Sequence, residues 1–215
     1  MSFSEVTLSM LEGTKYTLGL FFITLLIAIP FGMVIAAFEV SKSKIVSSIT
    51  KGFVWIIRGT PLMLQLIVVM YVPGLVFGMP MRERFLAAII AFGINYAAYF
   101  AEIYRGGIQS IPQGQYEAGY VLGFKRKQIV SRIVIPQVFK RIMPPMSNEV
   151  ITLVKDTSLA NIIGIVEIIM TAKTIVSTKG IIWPLFYTGV FYLVMSGVLT
   201  VLFNYIEKKL DYYKI

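Results

Sequence analysis

The 215-residue sequence contains neither cysteine nor histidine. Without cysteine there are no disulfides and no thiolate-bound metal. Without histidine the chain lacks the commonest general base and metal ligand. No G-x-x-x-x-G-K-[ST] segment occurs either, so the chain has no phosphate-cradling loop of its own. An enzyme is therefore disfavoured, because no nucleophile is paired with a base.

Apolar residues dominate what is present. Hydrophobic residues make up 57% of the chain, charged residues only 14%, and the mean hydropathy is +0.77. A single soluble core cannot bury that much apolar surface, so the pattern indicates a membrane protein. No stretch has the features of a removable signal peptide. We predict one all-α transmembrane domain over residues 1–215, with spans at about 17–38, 55–77, 85–104, 145–171 and 183–203.

The basic residues predict the orientation of the spans. Of the 20 lysines and arginines, thirteen fall on one side of the predicted bundle, five on the other and two within spans. Because cytoplasmic loops are enriched in basic residues, we expect an outside N-terminus and a cytoplasmic C-terminus. Membrane topology also explains the formal charge of +9 better than nucleic-acid binding does. The predicted location is the prokaryotic cytoplasmic (inner) membrane, crossed several times.

The long connection at about 110–135 reads as a short cytoplasmic helix followed by a second one at about 125–132. Ser110 and Gln113 have the spacing of a capping box, and Pro112 is tolerated in a first helical turn. Gly123 is placed to end the helix in the left-handed conformation. By itself, this pattern also fits an amphipathic helix lying on lipid headgroups.

A spaced motif lies in this connection. The letters E-A-G-Y-V-L-G end at Gly123, nine residues follow, and I-V-I-P ends at Pro136. This resembles the E-A-A-x-x-x-G-x9-I-x-L-P signature of the membrane-spanning subunits of ATP-binding-cassette (ABC) importers. Two positions differ, since Gly119 replaces the second alanine and Ile135 replaces the leucine.

The resemblance implies a role for the short helix. In that family it is the coupling helix, which docks in a groove of a separate ATPase subunit and transmits the closure of that subunit. The residues carried over as ATPase-coupling residues are Glu117, Ala118, Gly119 and Gly123. ATP and magnesium would be held by the partner ATPase, and no cofactor or metal by this chain.

Charged residues inside predicted spans are costly and usually face a cavity or a partner group. In the fourth span the run V-K-D-T-S-L contains Asp156, and its neighbour Lys155 points about 100° away, so the two cannot simply neutralise each other. In the third span Glu102 has Arg105 one turn later. Both acids are candidates for lining a translocation path. The alternatives are interhelical ion pairs, or a plain surface pair for Glu102, whereas Glu149 and Glu167 read as solvated or structural.

The second span begins R-G-T-P-L-M-L-Q-L, from Arg58 to Leu66. Pro61 removes a helical hydrogen bond and Gly59 loosens the same turn, which predicts a kinked or broken helix. Broken helices expose backbone groups that can hold a zwitterion. Gln65 is expected to point into the same space. The alternative is a kink that serves packing alone.

Three motifs narrow the resemblance: R-G-T-P-L-x-x-Q-L, A-E-x-x-R-G-G-I-x-S-I-P-x-G-Q-x-E-A and K-D-T-S-L. Together they resemble the polar amino-acid permeases, the group of the histidine, arginine and glutamine importers. This implies five spans per subunit, a dimer, here a homodimer, two ABC ATPase subunits and an extracytoplasmic amino-acid-binding protein. The candidate substrate-binding residues are Thr60, Gln65, Glu102, Asp156, Thr157 and Ser158.

The expected function is therefore the non-catalytic permease subunit of an ATP-driven importer for a polar amino acid. Charge complementarity with Glu102 and Asp156 favours a basic one. The rival is a self-sufficient secondary transporter or channel, in which Asp156 or Glu102 relays protons or sodium. That rival predicts transport by this chain alone, without ATP.

Overall fold

The computed structural model of the chain describes residues 2–210. This part is all helical and contains no strand, which confirms the predicted fold class. Its α-helices are, in order, α1 (Phe3–Glu39), α2 (Lys44–Gly59), α3 (Leu62–Phe77), α4 (Arg84–Gln109), α5 (Gln113–Val121), α6 (Arg126–Ile129), α7 (Ile135–Asp156), α8 (Ile168–Lys179) and α9 (Trp183–Leu210).

Three of these helices, α1, α4 and α9, are long and apolar enough to cross a membrane singly. Two bent pairs also qualify by length and composition. One is α2 with α3, bent by 102°, and the other is the segment from Arg126 to Ile163 with α8, bent by 50°. If each bent pair is one span, the described chain has the predicted five.

Helix α4 is the centre of the bundle. Half of its residues are buried, and many of these are alanines, such as Ala91 and Ala101, which let neighbouring helices approach closely. Helix α1 lies along it, with Gly32 so near that a Cβ there would meet Cβ of Phe100 at 2.8 Å. By contrast, α9 buries only Pro184 and Thr188. A helix that is apolar all round and exposed in the protein has lipid as its solvent.

Helix α1 is longer than its predicted span. It begins at a complete capping box between Ser2 and Glu5 and runs for 37 residues, about 55 Å. Its first turns bury Val6 and Met10 in a small apolar cluster with residues of α8, apart from the main core of the bundle. The charges and small polar residues of these turns lowered the local hydropathy, so the predicted boundary came fourteen residues too late.

The second and fourth spans also differ from their predicted bounds. The helix that leads into the second predicted span begins at Lys44, before the predicted bound of 55, because polar residues on one face of α2 lower its mean hydropathy. The fourth is not one helix. It ends as an α-helix at Asp156, continues as a 3-10 helix over Thr157–Ile163, and turns at Gly164, whose φ is +79°.

Candidate functional site

The short helix α5 ends as the sequence predicted. Gly123 has φ +79°, the left-handed conformation that glycine adopts without strain. The amide of Gly123 donates to the carbonyl of Tyr120 at 2.9 Å, and the amide of Phe124 donates to the carbonyl of Gly119 at 3.0 Å. This pair of bonds is a Schellman motif. It fixes the direction in which the chain leaves α5.

The start of α5 differs from the prediction. The predicted capping box between Ser110 and Gln113 is wrong, because Ser110 is the C-cap of α4 and its hydroxyl donates to the carbonyl of Gly107 at 2.7 Å. Pro112 occupies the N-cap position of α5 instead of its first turn, with no side-chain cap. The prediction failed because α4 continues five residues past the predicted end of the third span, which makes Ser110 the C-cap of α4.

The outer face of α5 carries an acid beside apolar groups. Glu117 and Ala118 are exposed, and so are Tyr120, Val121 and Leu122, at 54%, 87% and 71% of their full areas. We call these five residues the α5 face. Apolar side chains this exposed on a short helix outside the predicted spans are a feature of protein-binding sites.

Gly119 points the other way, into the protein. A Cβ placed there would lie 2.7 Å from Cγ1 of Ile129, which is itself fully buried. Of the small residues predicted to permit close approach, Gly119 therefore permits the approach of α6 within the same chain. Ala118 lies on the exposed α5 face.

The predicted second cytoplasmic helix at 125–132 has a different form. Helix α6 is one turn, followed by a π-helical stretch over Val130–Val134 that leads directly into α7. The amide of Ile135 donates to the carbonyl of Val130, five residues back. In an α-helix the ring of Pro136 would collide with the carbonyl of Arg132, and the wider π turn provides room for it.

Asp156 lies at the last residue of α7, half-buried against α4. It accepts a hydrogen bond from the hydroxyl of the buried Tyr96 at 2.7 Å. Lys155 is exposed and forms no ion pair with it, and no other cation lies within 4.0 Å of the Asp156 carboxylate in the part of the chain that the structure describes. The carboxylate thus keeps unused capacity to accept hydrogen bonds.

Glu149, which the sequence analysis reads as solvated or structural, lies in α7. It lies seven residues before Asp156, which puts the two acids on one face of α7. It is half-buried and interacts electrostatically with both Asp156 and Arg58. The seven-residue spacing was visible in the sequence and would have predicted the shared face.

The two residues after Asp156 are placed differently. Thr157 is fully buried, and its hydroxyl donates to the carbonyl of Val154 at 2.6 Å. Ser158 is half-buried, and its carbonyl accepts a hydrogen bond from the side chain of Asn161. The bond from the Thr157 hydroxyl to the carbonyl of Val154, three residues back, stabilises the change from α to 3-10 geometry.

Gln65 bridges the predicted break at Pro61. Because Pro61 has no amide hydrogen, the carbonyl of Ile57 loses its helical donor. The side-chain amide of Gln65 donates to that carbonyl at 2.8 Å and to the hydroxyl of Thr60 at 2.8 Å. Its oxygen accepts a hydrogen bond from Asn95 of α4 at 3.1 Å. The break is confirmed, and both Gln65 and Thr60 take part in satisfying it.

Glu102 lies in a charge cluster rather than beside Asp156. Arg105 donates to both of its carboxylate oxygens, and Arg58 of α2 lies 3.6 Å away. Arg105 also lies 4.0 Å from the buried Glu39 at the end of α1. The cluster joins α1, α2 and α4, and the Glu102 carboxylate has one ionic partner within α4, Arg105, and one in α2, Arg58.

Glu167 is almost completely buried and has a structural role. Its carboxylate caps α8 by accepting from the amides of Ile169 and Met170, each at 2.8 Å. The hydroxyl of Tyr192 in α9 donates to it at 3.1 Å. Over residues 2–210, no three acidic side chains are grouped so that they would hold a metal ion.

A family model described as "Binding-protein-dependent transport system inner membrane component" matches residues 28–212. The chain belongs to this family. The match covers the break at Pro61, the α5 face and Asp156, and it accounts for an all-helical permease without a nucleotide-binding loop.

The relatives of this permease are amino-acid ABC permeases. The nopaline transport system permease protein NocM of Agrobacterium fabrum is 35% identical, covering 94% of this chain and 84% of its own. The L-cystine transport system permease protein TcyB of Bacillus subtilis is 34% identical, covering 94% and 86%. The permease is thus similar along nearly its whole length to proteins named for different solutes.

A solved structure supports the same assignment. A crystal structure of an amino acid ABC transporter with histidines contains a chain that is 31% identical to this permease, with a TM-score of 0.88 and coverage of 96% of both chains. The permease therefore has the fold of the membrane subunit of an amino-acid ABC transporter.

Proposed function

We propose that this permease forms the membrane path of an ATP-driven importer for a basic amino acid. The observation that carries the proposal is the Asp156 carboxylate, half-buried at a helix break and without an ionic partner among residues 2–210. An acid in such a setting is stabilised when a mobile cation pairs with it. Glu149 on the same face of α7 adds a second negative charge to the path.

The charges favour a basic solute, whereas the names of the relatives do not point to a single class of solute. The nopaline and cystine permeases are named for different solutes at nearly equal identity. Of the two acids first considered, Glu102 already has Arg105 and Arg58 as partners. In this proposal the side-chain cation of the solute therefore pairs with Asp156, and Ser158 in the adjoining turn is a further polar neighbour.

The α5 face would bind the partner ATPase. In this proposal Glu117 pairs with a basic residue of the ATPase groove, and Tyr120, Val121 and Leu122 fill its apolar part. Ala118 permits close contact with the ATPase. Gly119 lets Ile129 pack against the inner face of α5, and Gly123 ends the helix in the left-handed conformation. ATP and magnesium are held by that ATPase, and closure of its two copies moves the two permeases from inward- to outward-facing.

The remaining partners follow the same scheme. Two copies of the permease would form a homodimer, and an extracytoplasmic amino-acid-binding protein would deliver the solute. The N-terminus would lie outside and the C-terminus in the cytoplasm, as the distribution of basic residues favours. Alternating access then requires only reorientation of rigid bundles around a central site.

The experiment is ATP-driven uptake by proteoliposomes that contain the permease, its ATPase and the binding protein. All twenty amino acids are supplied in turn, and we expect the highest uptake for arginine, lysine or histidine. Preference for an acidic or uncharged amino acid would contradict the assignment to Asp156. A Glu117→Arg complex should lose uptake with normal membrane insertion, whereas unchanged uptake would contradict the α5 face as the ATPase contact.

A further inference from the structure

Two side-chain bonds from α7, which no motif reveals, hold α5 and the end of α4 just before it. Gln137 of α7 donates to the side-chain oxygen of Gln115 in α5 at 3.2 Å and also to the carbonyl of Ile133 at 2.9 Å. Arg141, one turn further along α7, donates to the backbone carbonyl of Ser110 just before α5. We call Ser110, Gln115, Gln137 and Arg141 the α5–α7 clamp.

The second bond of the clamp has a clear electrostatic basis. Ser110 is the C-cap of α4, and carbonyls at the end of a helix carry partial negative charge and lack helical donors. A guanidinium satisfies such a carbonyl and is favoured by the helix dipole. Arg141 therefore holds the point where α4 ends and the chain turns into α5.

Apolar contacts close the space beneath the clamp. Ile111, Ile129 and Val134 form a small buried cluster on which Tyr116 of α5 packs. Gly119 lets Ile129 reach the backbone of α5, since any side chain at that position would overlap Ile129. These contacts pack the inner face of α5 against the segment that precedes α7.

Helix α7 then continues as one α-helix from the clamp to Asp156, with Pro144 and Pro145 inside it. It has 22 residues, about 33 Å of rise, and its last residue is Asp156. If α7 moves together with α5, Asp156 at the end of α7 moves as well, at the point where the chain changes to 3-10 geometry. Without the clamp, the π turn over Val130–Val134 would lie between α5 and α7 as a deformable joint.

We propose that Gln137 and Arg141 are positioning residues for transport, which make α5 and α7 one rigid body so that ATPase closure reaches the solute site. This rests on the proposed function, because it needs an ATPase that grips the α5 face. It adds that the coupling helix does not pivot on α7 during the cycle.

The first test is a double variant, Gln137→Ala with Arg141→Ala, in proteoliposomes with the ATPase and the binding protein. Losing a hydrogen bond from a charged donor together with a neutral one should lower solute uptake per ATP hydrolysed about tenfold. Hydrolysis itself should persist, because the α5 face is intact. Arg141→Lys, which restores a charged donor, should recover much of the ratio.

The matched control is Arg132→Gln. It removes one positive charge from the same cytoplasmic segment, where Arg132 is exposed and forms no hydrogen bond or ion pair with the rest of the described chain. It should keep the parent ratio of uptake to hydrolysis. A parent ratio in the double variant, or an equal loss in the control, would overturn the proposal.

A second test replaces the bond between Gln115 and Gln137 with a covalent link. The chain has no cysteine, so a Gln115→Cys, Gln137→Cys variant can be joined by a short bis-maleimide before assembly with the ATPase. Because the proposal keeps these two positions at constant distance, the joined permease should retain at least about half of the uptake of the unjoined variant.

Loss of uptake on joining these positions would show that α5 must pivot, and would overturn the clamp. The parent complex separates this failure from the failure of the proposed function. If the parent transports with ATP and the joined variant does not, only the clamp is wrong. If the parent itself shows no ATP-dependent uptake, the importer assignment is wrong.

Discussion

At the scale of single residues, the two intramembrane acids first considered differ in what surrounds them. Glu102 is engaged by Arg105 and Arg58, whereas the hydroxyl of Tyr96 is the only side-chain hydrogen-bond donor to Asp156 within residues 2–210. Removing a partner from a paired charge leaves the other charge exposed to a poor solvent, so Glu102 is costly to alter for structural reasons. Asp156 can be neutralised without leaving a cation unpaired, which makes it the better probe of function.

We predict that Asp156→Asn reduces uptake more than it reduces assembly. The loss of a charged acceptor costs about 1.5–3 kcal/mol, which corresponds to about tenfold or more in binding of a cationic solute. Uptake by the reconstituted complex and the yield of complex on copurification with the ATPase measure the two effects.

Tyr96→Phe is the matched comparison, since it removes only the hydroxyl that donates to Asp156. It should reduce uptake less than Asp156→Asn does. A poor yield of Asp156→Asn complex with normal uptake per complex would identify Asp156 as a structural residue.

At the scale of helices, the break at Pro61 is held by side-chain hydrogen bonds. The break between α2 and α3 is closed by Gln65, which supplies the donor that Pro61 lacks and links the turn to Asn95. In lipid an unsatisfied carbonyl costs several kcal/mol. A break at membrane depth therefore needs a side-chain donor, such as Gln65, in place of the missing backbone amide.

We therefore predict that Gln65→Leu destabilises the permease. It removes the bonds of Gln65 to the carbonyl of Ile57, the hydroxyl of Thr60 and the side-chain amide of Asn95, which leaves the Ile57 carbonyl only the longer bond, 3.4 Å, from the Thr60 hydroxyl. The loss of about 2–3 kcal/mol should lower the midpoint of thermal unfolding in detergent by roughly 5–10 °C. Gln113→Leu, at an exposed position of α5, should leave the midpoint within about a degree. Equal midpoints for the two variants would contradict the bridging role of Gln65.

Particular elements show what the sequence alone could predict. Apolar runs indicated the five spans, Pro61 indicated the break, and Gly123 indicated the end of α5, because each depends on local chemistry. The Asn95–Gln65 bond, the cluster around Glu102 and the clamp on α5 depend on which helices are neighbours, which no local pattern encodes. The 3-10 segment after Asp156 was missed because its residues are as apolar as the rest of the span.

At the scale of the whole molecule, the structure separates into a bundle of the candidate membrane helices and one small assembly of α5, α6 and the start of α7. In the described chain the apolar exposed surface of α9 and α1 suits lipid, and the α5 face suits a protein. This division requires that α5 and the N-terminus lie on opposite sides of the membrane, as the basic residues predict.

Single introduced cysteines test this orientation without background labelling, since the chain has no cysteine of its own. In intact cells a membrane-impermeant maleimide should label Ser4→Cys, and it should label Gln113→Cys only after permeabilisation. Both positions are exposed, so a difference in labelling reflects the side of the membrane. Labelling of Gln113→Cys in intact cells would reverse the orientation and remove the α5 face from the cytoplasm.

The central claim is that the permease moves solute only when a separate ATPase drives it. The most direct measurement compares amino-acid accumulation by vesicles holding the permease alone, under proton and sodium gradients, with vesicles holding the permease, the ATPase and the binding protein. We expect accumulation only in the complete system and only with ATP. Accumulation against a gradient by the permease alone would contradict the account and favour a self-sufficient secondary transporter.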